Sequence, residues 1–319
     1  MVSMADVASA AGVSRSTVSL VLNGRHESVG LAATTVARVR AVASELGYRK
    51  NELARAMITG RNPFLCLLTP AIADELSARC LAAAVAEAER HGQYLHVLAS
   101  GRDEPTCAAS IERCIELRPA GVVTWNLPVA AQSRLATELE RYEIPLCALQ
   151  PHYGGQVLGP ALDHLFDLGH RRVGLVSIPT EPALEASFLE AMKAAWQAVP
   201  AEHLVRADDG ETDLRDALRE VLRSRKTRPT ALVCTSDSAA LMVLRAARRL
   251  DLKVPKELSV VGWGNLALGA LSDPPLTTVD PPIADLAGQA VARLLGQPPV
   301  VGPVSAPHIV VRKSTAQAS

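Results

Sequence analysis

A short stretch near the start of the chain contains residues whose types and spacing suit the reading of DNA. Residues 5–24 have the sequence ADVASAAGVSRSTVSLVLNG. Ala8 and Ala11 are small enough for two helices to cross closely, and Gly12 suits the tight turn between them. Val13 would anchor the second helix, whose N-terminal residues could then enter the major groove. The spacing predicts a helix-turn-helix, although an amphipathic helical hairpin without a DNA role has the same pattern.

The residues around this stretch predict a small domain of three helices. Ser3 and Asp6 have the spacing of a capping box, and Ser14 is a favourable N-cap for the second helix. Helical spacing in that helix divides the side chains into an inward set, Val18, Val21 and Leu22, and an outward set, Arg15, Ser16, Ser19 and Leu20. A third helix is predicted over residues 34–46, with Gly47 ending it.

The formal net charge of the chain is zero at pH 7, but the charge is unevenly distributed. Residues 1–62 hold eight Lys or Arg and four Asp or Glu, a balance of +4 that leaves −4 for the remainder. Neutralising the phosphates of a nucleic acid requires a basic surface. Residues 1–62, called the head below, are therefore the part of the chain suited to that partner.

Beyond Gly60 and Pro63 the pattern changes to apolar strands that alternate with amphipathic helices. The first series of strands reads FLCLLT, YLHVLA, GVVTW and PLCAL, and the second reads RRVGLVSI, a weaker segment at 203–206, ALVCT and SVVGW. Helices are predicted over 76–91, 106–117, 130–141, 159–168, 183–197, 213–224, 237–250 and 283–295, before a closing strand in HIVVR. This rhythm is typical of parallel sheets covered on both faces. The predicted fold class is therefore α/β, with a body of two parallel-sheet lobes behind an all-α head.

Other classes of protein are excluded by what the sequence lacks. No charged segment followed by an apolar run opens the chain, and no run of about 18 apolar residues occurs, so we predict neither secretion nor a membrane span and expect a cytoplasmic protein. The six cysteines are scattered without metal-ligand spacing, which predicts reduced thiols that pack as small hydrophobes. The sequence contains no dinucleotide-binding glycine pattern, Walker loop, H-E-x-x-H or G-x-S-x-G motif, so we expect no enzyme, metal or cofactor.

Several blocks recur in a fixed order along nearly the whole chain. After the motif at residues 5–24 they read ELGYRKN, LARAM, DLGHRRVGLV, KVPKELSVVGWGN, DPPLTTVDPP and IVVRKST. Together these blocks resemble the LacI/GalR-type transcription regulators. The resemblance implies a helix-turn-helix DNA-binding domain over 1–50, a hinge helix and linker over 51–62, and a periplasmic-binding-protein-like effector-binding and dimerisation domain over 63–319. The favoured hypothesis is a homodimeric repressor that binds a pseudo-palindromic operator in double-stranded DNA.

The same resemblance assigns DNA contacts to the head. Arg15, Ser16 and Leu20 match positions where this family reads base edges, and Arg15 is the candidate for a bidentate contact to guanine, with a phosphate contact left open. Four further residues match positions that hold phosphates: Ser14, Thr17, Ser19 and Asn23. The resemblance thus implies that one short helix both reads and grips the DNA.

The linker resembles the hinge helix that pairs with its twin in the minor groove. Asn51 opens this segment, and Ala54 matches the small residue that lets two hinge helices approach each other. Met57 matches the apolar wedge, usually a leucine, that opens a base step. These residues imply a second DNA contact, outside the major groove.

The resemblance also implies a small effector, a sugar or a nucleobase, in the cleft between the lobes at the carboxyl ends of the strands. The candidate side chains at this place are Thr69, Trp125, Gln150, Ser236, Asp237 and Trp263. Structural roles stay open for three of them. Trp125 and Trp263 could instead pack in the core, and Asp237 could cap the helix that follows it.

Several residues that clamp the ligand in this family are replaced in this sequence. Gln150 stands where an aspartate is common, and Ser236 and Asp237 stand where the family has an Asn-Asp pair. Gly264 and Asn265 replace a further aspartate. The alternative to a small effector is therefore a regulator that has lost sugar-type control and acts constitutively or through a protein partner. A bilobed solute-binding protein is a second alternative, which the intact head disfavours.

Overall fold

The structure is a computed structural model that describes residues 2–24, 26–49, 64–101, 103–150, 157–177, 182–195, 197–206, 211–223, 226–298 and 304–318. The chain forms two compact units, residues 1–62 and residues 63–319. None of the helices in the described ranges combines the length and the apolar character needed to cross a bilayer.

The described part of the first unit contains three α-helices: α1 (Met4–Ala11), α2 (Arg15–Leu22) and α3 (Ala33–Glu45). Helix α1 begins at the predicted capping box, since Ser3 Oγ accepts from the Asp6 N–H and the Asp6 carboxylate accepts from the Ser3 N–H. Gly12 ends α1 with a φ of +63°, a left-handed conformation that favours glycine. Apolar side chains from all three helices form the core: Val7, Ala8, Ala11, Val18, Val21, Val36, Val39 and Ala43. The predicted three-helix head is confirmed.

The first lobe of the second unit is built on a parallel sheet with the strand order β2-β1-β3-β4. Its elements are β1 (Phe64–Thr69), α4 (Glu75–Arg90), β2 (Tyr94–Ala99), α5 (Glu104–Glu116), β3 (Gly121–Trp125), α6 (Val129–Arg141) and β4 (Leu146–Leu149). Helices lie on both faces of this sheet, which is why the apolar runs of β1 and β3 are buried throughout.

The second lobe holds a sheet with the strand order β10-β9-β8-β7-β5-β6. Its elements are α7 (Gly159–Asp167), β5 (Val173–Ser177), α8 (Pro182–Ala194), β6 (Leu204–Arg206), α9 (Glu211–Arg223), β7 (Ala231–Cys234), α10 (Asp237–Arg249), β8 (Ser259–Trp263), α11 (Ala267–Leu271), β9 (Thr277–Asp280) and β10 (His308–Val310). Between β9 and β10 the chain forms α12 (Ile283–Leu294), which returns to the first lobe and packs against α4, β3 and β4.

The predicted strands and helices of the body are confirmed to within a few residues at their ends. The predicted parallel-sheet lobes are confirmed, and the closing strand β10 adds an antiparallel pairing with β9 at one edge of the second sheet. The reason is the path of the chain: β9 leaves the second lobe, α12 lies on the first, and the chain re-enters beside β9 in the opposite direction. All six cysteines are free thiols, and five of them are buried.

The segment after β10 is bound into the second lobe by hydrogen bonds. Ser314 Oγ accepts from the Thr277 N–H at 2.8 Å and donates to the Val260 carbonyl at 2.6 Å. Farther along, the Ala318 N–H donates to the Leu168 carbonyl at 2.8 Å. Residues 312–318 are therefore part of the lobe's framework and contribute to holding β8 and β9 in place.

One apolar cluster connects the two lobes. It includes Val123 and Trp125 from the first sheet and Val261 and Trp263 from the second. Because Trp125 and Trp263 are the last residues of β3 and β8, the cluster extends to the carboxyl ends of both sheets.

Candidate nucleic-acid interface and ligand cleft

The amino-terminal turn of α2 gathers hydroxyl groups and a guanidinium at the surface of the head. Ser14 is the N-cap, and its Oγ accepts from the Thr17 backbone N–H at 3.1 Å. The same Oγ lies 2.7 Å from Ser16 Oγ and 2.8 Å from Thr17 Oγ1. Arg15 stands beside this cluster and is exposed. Backbone N–H groups at a helix start, together with hydroxyls and a cation, are suited to binding phosphate.

The remaining candidate residues of the head follow along the same helix. Ser19 and Leu20 are half-buried, and Asn23, at the C-cap, is exposed and donates from Nδ2 to Ser19 Oγ at 3.1 Å. Val18 and Val21 lie on the opposite face and are buried in the core of the head. The structure thus leaves all seven candidate side chains of the helix and its caps outside that core.

The described surface of the head carries charges of both signs. Its four arginines are all exposed: Arg15, Arg38, Arg40 and Arg49. Three exposed acids accompany them: Asp6, Glu27 and Glu45. The backbone and hydroxyl hydrogen bonds from Ser3 hold the pKa of the Asp6 carboxyl below its usual value. The predicted hinge residues Asn51, Ala54 and Met57 lie outside the described residues.

The six candidate cleft residues all lie at or just after the carboxyl ends of strands in the body. Thr69, Trp125 and Gln150 end or follow β1, β3 and β4 in the first lobe. Ser236, Asp237 and Trp263 follow β7 or end β8 in the second. Four of the six, Thr69, Trp125, Asp237 and Trp263, are at most 2% exposed.

In the first lobe the polar atoms of these residues are used within the protein. Thr69 Oγ1 donates to the Ala71 carbonyl at 2.9 Å. Trp125 Nε1 donates to Ser77 Oγ on α4 at 2.9 Å, and its indole packs in the apolar cluster shared by the lobes. Gln150 is half-buried, and its Nε2 donates to the Leu127 carbonyl at 3.0 Å.

In the second lobe Ser236, and not Asp237, caps the following helix. Ser236 has an extended backbone, and its Oγ accepts from the Ala239 N–H at 3.1 Å. The expectation that Asp237 would be the N-cap is therefore wrong. Its side chain turns away instead, so that Oδ2 accepts from the Leu266 N–H at 2.6 Å and Oδ1 accepts from Thr278 Oγ1 at 2.5 Å.

The carboxyl of Asp237 is surrounded closely on every side that the structure describes. Burial raises its pKa, and the hydrogen bonds from Thr278 and Leu266 oppose part of that rise. A Cβ built on Gly262 would lie 2.2 Å from Asp237 Oδ1, so the strand next to it has no room for a side chain. Asp237 therefore acts as a clasp between α10 and the segment that leads into α11.

A network of charged and polar side chains lies at the carboxyl ends of β8 and β9. Asp280 accepts from Arg79 Nη2 at 2.9 Å through one oxygen and from Asn265 Nδ2 at 3.0 Å through the other. Arg312 Nη2 donates to Asn265 Oδ1 at 2.6 Å, and its Nη1 donates to the Leu276 carbonyl at 2.7 Å. Sequence reasoning missed this network apart from noting Asn265, because its members come from four separate segments of the chain.

Two protein families match this sequence in different regions. Residues 3–51 match the bacterial regulatory proteins of the lacI family, and residues 162–315 match the periplasmic binding protein-like domain. The HTH-type transcriptional regulator reg1 of Streptomyces lividans is 32% identical over 99% of this chain and 97% of its own length. The HTH-type transcriptional repressor CytR of Escherichia coli K12 is 26% identical over 92% of this chain and 89% of its own length.

Solved structures show the same fold over nearly the whole chain. A lac repressor dimer bound to operator and the anti-inducer ONPF superimposes with a TM-score of 0.78 at 23% identity, covering 99% of each chain. A complex of the transcriptional regulator CelR with cellobiose gives a TM-score of 0.66 at 23% identity, covering 98% of this chain and 100% of that one. The helix-turn-helix head and the two-lobe α/β body are thus shared with these proteins.

Proposed function

Because the chain belongs to the LacI family of bacterial regulatory proteins, we propose that it is a repressor that binds a pseudo-palindromic operator as a homodimer. Family membership makes it a DNA-binding transcription regulator and not an enzyme. The observation that carries the finer proposal is the exposed face of α2, which presents Arg15 beside the hydroxyls of Ser14 and Ser16. Occupying its operator in the cytoplasm, the protein would exclude the transcription machinery from the same DNA.

The chemistry of the side chains on α2 and its caps determines which of them we assign to bases and which to phosphates. Arg15 offers the planar pair of donors that matches guanine in the major groove, with Ser16 and Leu20 reading neighbouring bases. Ser14, Thr17, Ser19 and Asn23 would hold phosphates and fix the register. Asn51, Ala54 and Met57 are assigned to the minor groove, with Met57 as the wedge at the centre of the operator.

Two exposed leucines support the homodimer. Helix α11 carries Leu268 and Leu271, which are 65% and 82% exposed, on an element of five residues. Exposed apolar side chains that lie together favour contact with another protein surface. A two-fold interface at this place would match one protein dimer to the two half-sites of an operator.

The two regulatory hypotheses differ in what they require of the cleft. A sugar-type effector needs polar groups that are available to a ligand, whereas those of Thr69, Trp125 and Asp237 are buried and hydrogen-bonded within the protein. This burial favours the regulator without sugar-type control. The solute-binding alternative is set aside because the relatives are transcription regulators.

The proposal is tested by selecting a duplex from a randomised library with the full chain, then measuring affinity for it and for a scrambled duplex. Affinity for the selected duplex should fall by roughly 10³- to 10⁵-fold between about 50 and 200 mM salt if 6–10 phosphates are contacted. Arg15→Ala should weaken binding to the selected duplex by about 10- to 100-fold and to the scrambled one far less. Leu271→Asp should convert dimers to monomers in sedimentation. It should also lower the affinity for a duplex that contains both half-sites.

Arg40→Ala is the matched control in the head, because Arg40 is exposed on α3 and not on α2. Any loss that it causes should be equal for the two duplexes, as expected of a phosphate contact. Equal affinity of the unaltered protein for the selected and scrambled duplexes would contradict sequence-specific recognition.

A further inference from the structure

The start of α4 reaches from the first lobe to the second through two charged side chains. Arg79 Nη1 donates to the Gly264 carbonyl at 2.9 Å, and Arg79 Nη2 donates to Asp280 Oδ1 at 2.9 Å. One turn earlier, the Glu75 carboxylate accepts from the Ala267 N–H at 3.0 and 3.2 Å. Arg79 and Asp280 are each less than one third exposed, so solvent screens their ion pair only in part.

The residues of the second lobe that bind Glu75 and Arg79 are held in place by hydrogen bonds within their own lobe. The Leu266 N–H donates to Asp237, and the Asn265 N–H donates to Thr278 Oγ1 at 3.3 Å. Asp280 is held on its other oxygen by Asn265, which in turn accepts from Arg312. Residues 264–267 and Asp280 are thus already held in position by the second lobe, and docking α4 onto them orders few additional groups.

The first lobe is fixed to the same contact from its own side. Ser77 lies on α4 between Glu75 and Arg79, and its hydroxyl accepts from Trp125 Nε1 at the end of β3. Trp125 belongs to the apolar cluster that also contains Trp263 at the end of β8. Polar contacts between the lobes therefore lie beside a continuous apolar contact, at the strand ends where a small effector is expected in this fold.

We propose that Glu75 and Arg79, bound to Ala267, Gly264 and Asp280, form a latch that holds the two lobes closed without a ligand. The latch replaces the bridging that a small effector would supply, since it connects the same strand ends through the protein's own side chains. The body is then a constitutive scaffold for the head, because the latch keeps the lobes closed whether or not a small molecule is present. This inference rests on the proposed function only in so far as it names how that function is regulated. The latch itself is formed by residues of the body and does not depend on DNA binding.

The latch is tested on the full chain with no added ligand by amide hydrogen exchange and by tryptophan quenching. The variants are Arg79→Ala, Asp280→Ala and the double variant. For quenching, a Trp196→Phe background leaves Trp125 and Trp263 as the emitters. Arg79→Ala should speed exchange in residues 264–271 by about tenfold and raise acrylamide quenching by about twofold, as the lobes separate more often. The double variant should add little to either single variant, because both remove the same contact.

Arg134→Ala is the matched control, because Arg134 pairs with Glu104 and Glu112 inside the first lobe. It should change neither readout. Arg79→Lys retains the charge and should restore part of the protection that Arg79→Ala loses. Cooperative melting of each variant separates opening of the cleft from loss of the fold.

The latch is overturned if Arg79→Ala, Arg79→Lys and Arg134→Ala all match the unaltered protein in exchange and quenching. It is also overturned if residues 264–271 of the unaltered protein already exchange as fast as in Arg79→Ala. Neither readout uses DNA. If the protein fails to distinguish the duplexes but residues 264–271 are protected by the latch, only the proposed function is contradicted. If it distinguishes the duplexes but the latch variants change neither readout, only the latch is contradicted.

Discussion

The head and the cleft of this protein use similar polar residues in opposite ways. On α2, hydroxyl, amide and guanidinium groups stay at the surface, and the bonds they make to one another are local to one helix. In the cleft, Thr69, Ser77 and Asp237 are buried, and Asp237 links segments far apart in the chain. Hydrogen-bonding groups at an expected site therefore indicate a ligand only when they remain available to it.

The physical difference between the two regions is desolvation. A surface hydroxyl exchanges a water for a phosphate oxygen at little cost, whereas a buried carboxylate must first give up two protein donors. The same applies where the lobes meet, because Asp280 of the second lobe accepts from Asn265 through one oxygen and from Arg79 of the first lobe through the other.

The largest expected effect comes from placing a methyl group against the Asp237 clasp. Gly262→Ala would put Cβ 2.2 Å from Asp237 Oδ1 and 2.9 Å from Leu276 Cδ2, both in the buried interior. We expect the free energy of unfolding to fall by about 3 kcal/mol, measured by urea denaturation. Gly159→Ala is the control, because open space surrounds that glycine, and it should change stability by less than about 0.5 kcal/mol. Equal stability of the two variants would mean that Asp237 is not held as described.

A smaller loss of stability, equal in the two regions, is expected from removing a helix N-cap in each. Ser14 caps α2 and Ser236 caps α10, each through an Oγ that accepts a backbone N–H at 3.1 Å. Replacing either by alanine should cost about 1 kcal/mol in urea unfolding. Ser44→Ala, on the exposed face of α3, is the control and should cost nothing. Only Ser14→Ala should also weaken DNA binding, and a comparable loss in Ser236→Ala would count against the division between the regions.

The smallest effects are opposite slopes of stability with pH. Burial raises the pKa of Asp237 above the usual 3.8, so its contribution to stability is complete at low pH and is lost as pH rises through the folded-state value. Ser3 lowers the pKa of Asp6, so its contribution is complete above 3.8 and is lost as pH falls. The measurement is the unfolding free energy of the unaltered protein minus that of Asp237→Asn or of Asp6→Asn, taken between about pH 3 and 7. The two differences should change with pH in opposite directions. Parallel slopes would contradict this.

Local features of the fold could be predicted from the sequence because they depend on neighbouring residues. The Ser3 and Asp6 capping box, the turn at Gly12 and the apolar strands of the body are all confirmed. Helix α11 and strand β9 were not predicted. The first has five residues, too few for helical periodicity to be detected, and the second has four between prolines.

Contacts between distant segments could not be predicted in the same way. Arg79 and Asp280 are 201 residues apart, and each looks like an ordinary surface charge in its own segment. Ser236 and Asp237 are adjacent and both favour a helix N-cap, so only the position of Leu266 in space decides between them. The candidate cleft residues were placed at the expected strand ends, but their burial depends on the opposite lobe.

The return of the chain through α12 and residues 312–318 decides when each part of the protein can fold during synthesis. The head needs no later residues for its core, so it can fold early, as amino-terminal domains do. The first lobe lacks α12 until residues 283–294 have been made, and the second lacks the Ser314 contacts to β8 and β9 until still later. A nascent chain would therefore present a finished DNA-binding head on an unfinished body for most of translation, when chaperones have the longest access to it.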